Sequence, residues 1–69
     1  MNVNDEIVEY CVKPGTYKGW KSVFCGAGSL VFEKQSKKIS AYRGIGVDGW
    51  MKETWLECKE KIDQIESAG

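Results

Sequence analysis

Between Trp50 and Glu66 the chain reads WMKETWLECKEKIDQIE, and Met51, Trp55, Cys58, Ile62 and Ile65 recur there at steps of four, three, four and three. At about 100° per residue these side chains stack on one face of a helix. A helix with a single apolar stripe has to be covered, and nothing else in the 69 residues has comparable helical periodicity. The rest reads as short extended segments and turns. The spacing therefore predicts an α+β fold: an antiparallel meander of three or four strands, with a helix over 49–66 packed across one face and Trp55 at the centre of the contact. A chain this short is one domain and buries only about 60% of the surface its unfolded form exposes. Three tryptophans, three tyrosines and two phenylalanines compensate, since each buries roughly 150–250 Å².

Asp5 to Lys13, DEIVEYCVK, is rich in β-branched residues and alternates loosely, as a strand or an extended arm does. Pro14-Gly15 breaks it, because proline has no amide hydrogen and glycine tolerates positive φ. Thr16 to Cys25 is the next strand candidate; in strict alternation Trp20 and Phe24 face one side, and Tyr17, Lys21 and Val23 the other. Gly26 to Ser29 is a hairpin turn leading into SLVFEK. Gln35 to Lys38 turns again into Ile39–Arg43, where Ile39 and Ala41 join Leu30 and Phe32 in the core while Tyr42 points out. Short connections between consecutive strands favour an antiparallel order. Gly44 to Val47 carries the chain to the helix, where Asp48 is the expected N-cap, and Glu57 and Lys61 stand at the favourable i,i+4 spacing.

Net charge is zero but unevenly spread: residues 1–12 sum to −3, residues 13–43 to +6 and residues 44–69 to −3. A basic middle between acidic ends either forms a face for polyanions or lets strands and helix neutralise each other. No apolar run reaches the roughly 18 residues of a membrane span, and the acidic MNVNDEIVEY is unlike a signal peptide. The expected location is cytoplasmic, without membrane association. Cys11, Cys25 and Cys58 are widely spaced and odd in number, which suits reduced thiols better than a disulfide framework. Without histidine or closely spaced cysteines, no metal site is expected. Lack of histidine also removes the commonest general base, so no catalytic residues are assigned and the chain is not read as an enzyme.

Gly44-Ile45-Gly46-Val47-Asp48-Gly49 is a literal GxGxxG between a predicted strand and a predicted helix. In dinucleotide-binding folds such glycines bring backbone amides to a pyrophosphate at the helix start. Here no parallel strand follows the helix, and Asp48 would set a negative charge where the phosphate belongs. The segment reads as a glycine-rich connection, and no cofactor is expected. Gly26-Ala27-Gly28-Ser29 lacks the lysine of a phosphate loop and leads into a strand.

The remaining candidate surface is the outer face of the sheet with its edges and turns: Tyr17, Lys18, Lys21, Lys37, Lys38, Tyr42 and Arg43. Aromatics among lysines on a sheet stack bases and hold phosphates in several folds, and they also make ordinary cross-strand pairs. On the helix, Trp50 falls on a flank and Leu56 opposite the stripe, as contacts for a partner or a second copy. The first expectation is a non-catalytic protein that binds another protein; the alternative is a nucleic-acid-binding module using Lys21, Tyr17, Tyr42 and Arg43.

Tyr17-Lys18-Gly19-Trp20, then Phe32-Glu33, then Cys58-Lys59-Glu60-Lys61-Ile62-Asp63 resembles the layout of small phage and prophage open reading frames. In those a Tyr-x-Gly-aromatic strand opens a short sheet, and the closing helix ends in a lysine, two variable residues and Ile-Asp. The resemblance implies an accessory or regulatory role in a phage or mobile element and carries over no functional residues. The layout is also similar to the arm-type DNA-binding domains of phage integrases, from which this chain departs in its acidic helix.

Overall fold

The structure, a computed structural model, describes residues 2–68. A helix α1 (Val3–Ile7) runs into a π-helical turn (Val8–Val12). Four strands follow, β1 (Thr16–Tyr17), β2 (Trp20–Gly26), β3 (Ser29–Lys34) and β4 (Lys37–Tyr42), then α2 (Trp50–Ala68). The strands pair antiparallel in the order β1-β2-β3-β4, and α2 packs on the sheet, as the stripe requires.

The expected N-terminal strand or arm is instead helical. The Asn2 side chain accepts the Asp5 amide at 3.0 Å, a regular N-cap, and Asp5 and Glu6 place negative charge at the helix start. Ile7, Tyr10 and Cys11, spaced for one helical face, pack against the core. Those contacts outweigh the local β preference of Val8 and Val12. The turn widens to π geometry, with the Lys13 amide donating to the Val8 carbonyl at 2.9 Å, and it stops at Lys13, which is extended before Pro14.

Three two-residue loops make the meander. Lys18-Gly19 and Ala27-Gly28 both have positive φ at each central residue, as a type I′ hairpin turn requires. The first of these splits the stretch expected to be one strand. Tyr17 consequently pairs with Trp20 rather than alternating away from it, and its ring turns to the core. Gly28 has φ +78 and is packed so tightly that a Cβ there would lie 2.4 Å from the Gly44 backbone.

The core holds Cys11, Trp20, Leu30, Phe32, Ala41, Trp55, Cys58 and Ile62. Trp55 sits at its aromatic centre, stacked on Tyr10 at 4.5 Å and met edge-on by Tyr17 at 5.1 Å. Thr54 is also buried, its hydroxyl donating to the Trp50 and Met51 carbonyls, within reach at 2.8 and 3.1 Å.

Two apolar residues expected inside are outside. Ile65 is 38% exposed, on the flank of the stripe, while the next residue, Glu66, faces the sheet and bonds to Trp20 and Lys34. Phe24 is 52% exposed because β2 carries a bulge: Ser22 pairs with Phe32 but Phe24 with Val31, leaving Val23 as the extra residue. The bulge reverses the alternation, so Phe24 points out while Cys25, opposite Leu30, points in. Asp48 is not the N-cap: the Gly49 carbonyl accepts the Glu53 amide and the helix begins at Trp50.

The free edge of β4 is occupied by side chains. Lys61 Nζ donates to the Ser40 carbonyl at 2.8 Å, and Arg43 to the Tyr42 carbonyl at 3.0 Å. Charged side chains on an edge deter pairing with another strand.

Candidate binding face

One local device recurs three times where the basic strands and N-terminal helix meet the acidic α2. Buried Trp55 donates its indole N–H to Glu6 at 3.1 Å, and Lys59 approaches the same carboxylate at 3.2 Å. Buried Trp20 donates to Glu66 at 3.0 Å, with Lys34 at 3.1 Å. Tyr17 donates its hydroxyl to Asp63 at 2.8 Å, and so does Lys18. Each ring is thus packed inside while its polar tip finds a carboxylate at the rim, and a lysine completes the carboxylate's shell.

These bonds favour the charged carboxylates. Glu6 is lowered, mostly by the Trp55 hydrogen bond and then by Lys59; Asp63 by Lys18 and then Tyr17; Glu66 by Trp20 and then Lys34. Tyr17 is pushed up to about 12, first by burial and then by its bond to Asp63. Arg43 joins α2 likewise, in contact with Glu57 at 2.6 Å and Glu53 at 3.3 Å, which lowers Glu57 further.

The seven candidates therefore do not share a face. Tyr17, Lys18 and Arg43 turn toward α2 and are held by Asp63, Glu53 and Glu57. Lys37 is exposed, opposite Lys34 at the β3–β4 turn. Lys21, Lys38 and Tyr42 remain on the outer face, where Lys38 lies 3.6 Å from Glu33. The register places Lys21, Glu33 and Lys38 in one row and Phe24, Val31 and Ser40 in the next. Gly26, Ser29 and Tyr42 form a third.

Alternation alone put Tyr42 on this face and missed Phe24. Phe24, whose ring tip lies 3.6 Å from where a Gly26 Cβ would be, is joined by Tyr42 at 66% exposure and by half-buried Val31. Beside Phe24, a groove of about 190 Å³ is lined by Val23, Val12 and Lys13 among others. The only sequence signal for Phe24 facing outward would have been the bulge, which depends on how β3 pairs.

On α2, Leu56 is 40% exposed between two shallow depressions that share it with Glu60, while Trp50 is half-buried. The GxGxxG string forms the β4–α2 connection beside a wholly antiparallel sheet. Burial pushes the Cys11 thiol up to about 12 and Cys58 up to about 11. Among the described residues, no three Cys, Asp or Glu side chains gather as metal ligands, and no helix is long and apolar enough to cross a membrane. No family model, curated protein or solved structure matches the chain.

Proposed function

We propose that this chain is a non-catalytic binding protein that engages a protein partner through the outer face of its sheet, with Phe24, Val31 and Tyr42 as the apolar contact. The observation that carries this reading is the bulge at Val23. It spends one residue of β2 and leaves a phenylalanine in water where unbroken alternation would bury it. Exposed aromatics with an apolar neighbour and a charged rim are the composition of an interface core. Lys21 and Lys38 at that rim, balanced only by Glu33, favour a partner surface that is apolar at its centre and acidic around it. The phage-like layout of the sequence adds an accessory or regulatory role in a mobile element.

Nucleic-acid binding is the second reading, favoured by Tyr42, Phe24 and Lys21 lying on one sheet face. It is weakened by the pairing of Lys18 and Arg43 with carboxylates, which leaves few cations for phosphates.

Two measurements test the proposal together. Wild type, Phe24→Ser with Tyr42→Ser, and Leu56→Ser are immobilised and compared for proteins retained from host extract. The reading requires a retained protein that the sheet-face double variant loses and the helix variant keeps, with unchanged thermal stability in all three. Amide shifts are also followed on adding short single- and double-stranded DNA at low and physiological salt. Salt-sensitive shifts centred on Lys21, Phe24 and Tyr42 would replace the protein reading with the nucleic-acid one.

A further inference from the structure

Cys11 and Cys25 stand far apart in the chain but meet in the fold. Cys11 lies in the π-helical turn, buried against the core, with its Sγ 3.8 Å from the Met51 carbonyl. Cys25 lies in β2, turned inward by the bulge and packed against the same core cluster. Both line the groove between the end of the N-terminal helix and β2, and both are free thiols. Without the bulge, Cys25 would project from the opposite face.

We propose that Cys11 and Cys25 are a redox-convertible pair that closes into a disulfide, fastening the N-terminal helix to β2. The N-terminal helix is the element such a bond would change most. Helices this short are marginal on their own, and this one is held by Ile7, Tyr10, Cys11 and Glu6. The bond would enclose about 15 residues, which corresponds to an increase of about 10²-fold in the folding equilibrium constant.

The oxidant is a low-molecular-weight disulfide such as oxidised glutathione. Cys25, the more accessible of the two, gives up its proton and attacks one glutathione sulfur, expelling a glutathione thiolate. Cys11 then gives up its proton and attacks the Cys25 sulfur, expelling the second glutathione thiolate. One S–S bond forms in the protein and one is lost from the oxidant; the protein loses two electrons and two protons, and two glutathione thiols result. Each thiol feels the other, and burial is the largest influence on both, raising them. Protonated thiols react slowly. A dithiol whose thiolates are not stabilised is nevertheless the more reducing partner at equilibrium, the reverse of a strongly oxidising low-pKa pair.

The test is incubation of the native, full-length chain in buffers of rising oxidised-to-reduced glutathione ratio, followed by acid quench, alkylation of free thiols and peptide mapping. The expected result is a monomer 2 Da lighter, with Cys11 linked to Cys25 and Cys58 alkylated. Amide exchange should slow in residues 3–12, and Cys25→Ser should give no intramolecular bond while keeping its fold. Glutathione adducts without closure, a bond to Cys58, or closure only in denaturant would each overturn the proposal.

Discussion

Replacing Glu6 by alanine isolates what the carboxylate contributes to holding Trp55. The indole is wholly buried apart from the direction of its N–H, and that N–H donates to Glu6 across 49 residues of chain. A buried donor stripped of its partner costs about 1–3 kcal/mol. Loss of the Lys59 pair, whose lysine is 36% exposed, adds at most about 1 kcal/mol. Glu6→Ala should therefore cost about 2–3 kcal/mol, against a total stability of about 3–10 kcal/mol for a chain of this length. In a Trp55→Phe background the donor is absent, and the same substitution should cost less than about 1 kcal/mol. The coupling read from the double-mutant cycle is then about 1–3 kcal/mol. Urea unfolding followed by far-ultraviolet circular dichroism measures all four corners without relying on the fluorophore being changed. If Glu6→Ala costs the same in both backgrounds, the hydrogen bond is not what stabilises this contact, and the recurring aromatic–carboxylate–lysine device loses its energetic meaning.

Acid should unfold the protein through the same carboxylates. Folded Glu6, Glu57, Asp63 and Glu66 all titrate below their ordinary values; the stability they contribute is present above the unfolded values near 4 and is lost as pH falls through the lowered ones. Melting temperature should be level between about pH 7 and 5 and fall steeply below about pH 4; equal melting at pH 3 and pH 7 would contradict the sign. Gly28→Ala should destabilise by about 1–3 kcal/mol in urea unfolding, since the new methyl meets the Gly44 backbone and φ is positive. Trp55→Ala should cost about 3–5 kcal/mol and leave little folded protein; wild-type stability in that variant would refute the packing. Lys61→Met should uncover the Ser40 carbonyl on the β4 edge and raise self-association in sedimentation velocity, whereas an unchanged monomer would show that the lysine does not guard the edge.

The stripe from Met51 to Ile62 was legible because helical spacing and burial coincide there. Ile65 was not, because it stands at the margin of the stripe, and only the structure shows Glu66 taking the sheet-facing position beside it. The N-terminal segment was misread although signals were present: Asn2 three residues before Asp5, acids in the first turn, and Ile7, Tyr10 and Cys11 at helical spacing, all masked by Val8 and Val12. Tyr17 was assigned to the wrong side because Lys18-Gly19 was not recognised as a two-residue turn. Each such turn restarts the alternation. Lys18 and Arg43 looked available in the sequence because their carboxylate partners lie in α2, and only tertiary structure brings them together. Phe24 and Cys25 exchanged sides for a reason no local pattern contains, the pairing of Phe24 with Val31.

That exchange has a meaning for comparing sequences. A bulge of one residue is a difference that an alignment records as a single gap. A related chain lacking Val23 would keep the pairs of Ser22, Phe24 and Cys25 with Phe32, Val31 and Leu30 in unbroken alternation, so its phenylalanine would still look outward and its cysteine inward. A chain of the same length that paired without the bulge would instead share the architecture and turn its phenylalanine in and its cysteine out. Among relatives of this protein, a gap at Val23 would thus mark the loss of the bulge and leave the outer surface as it is here.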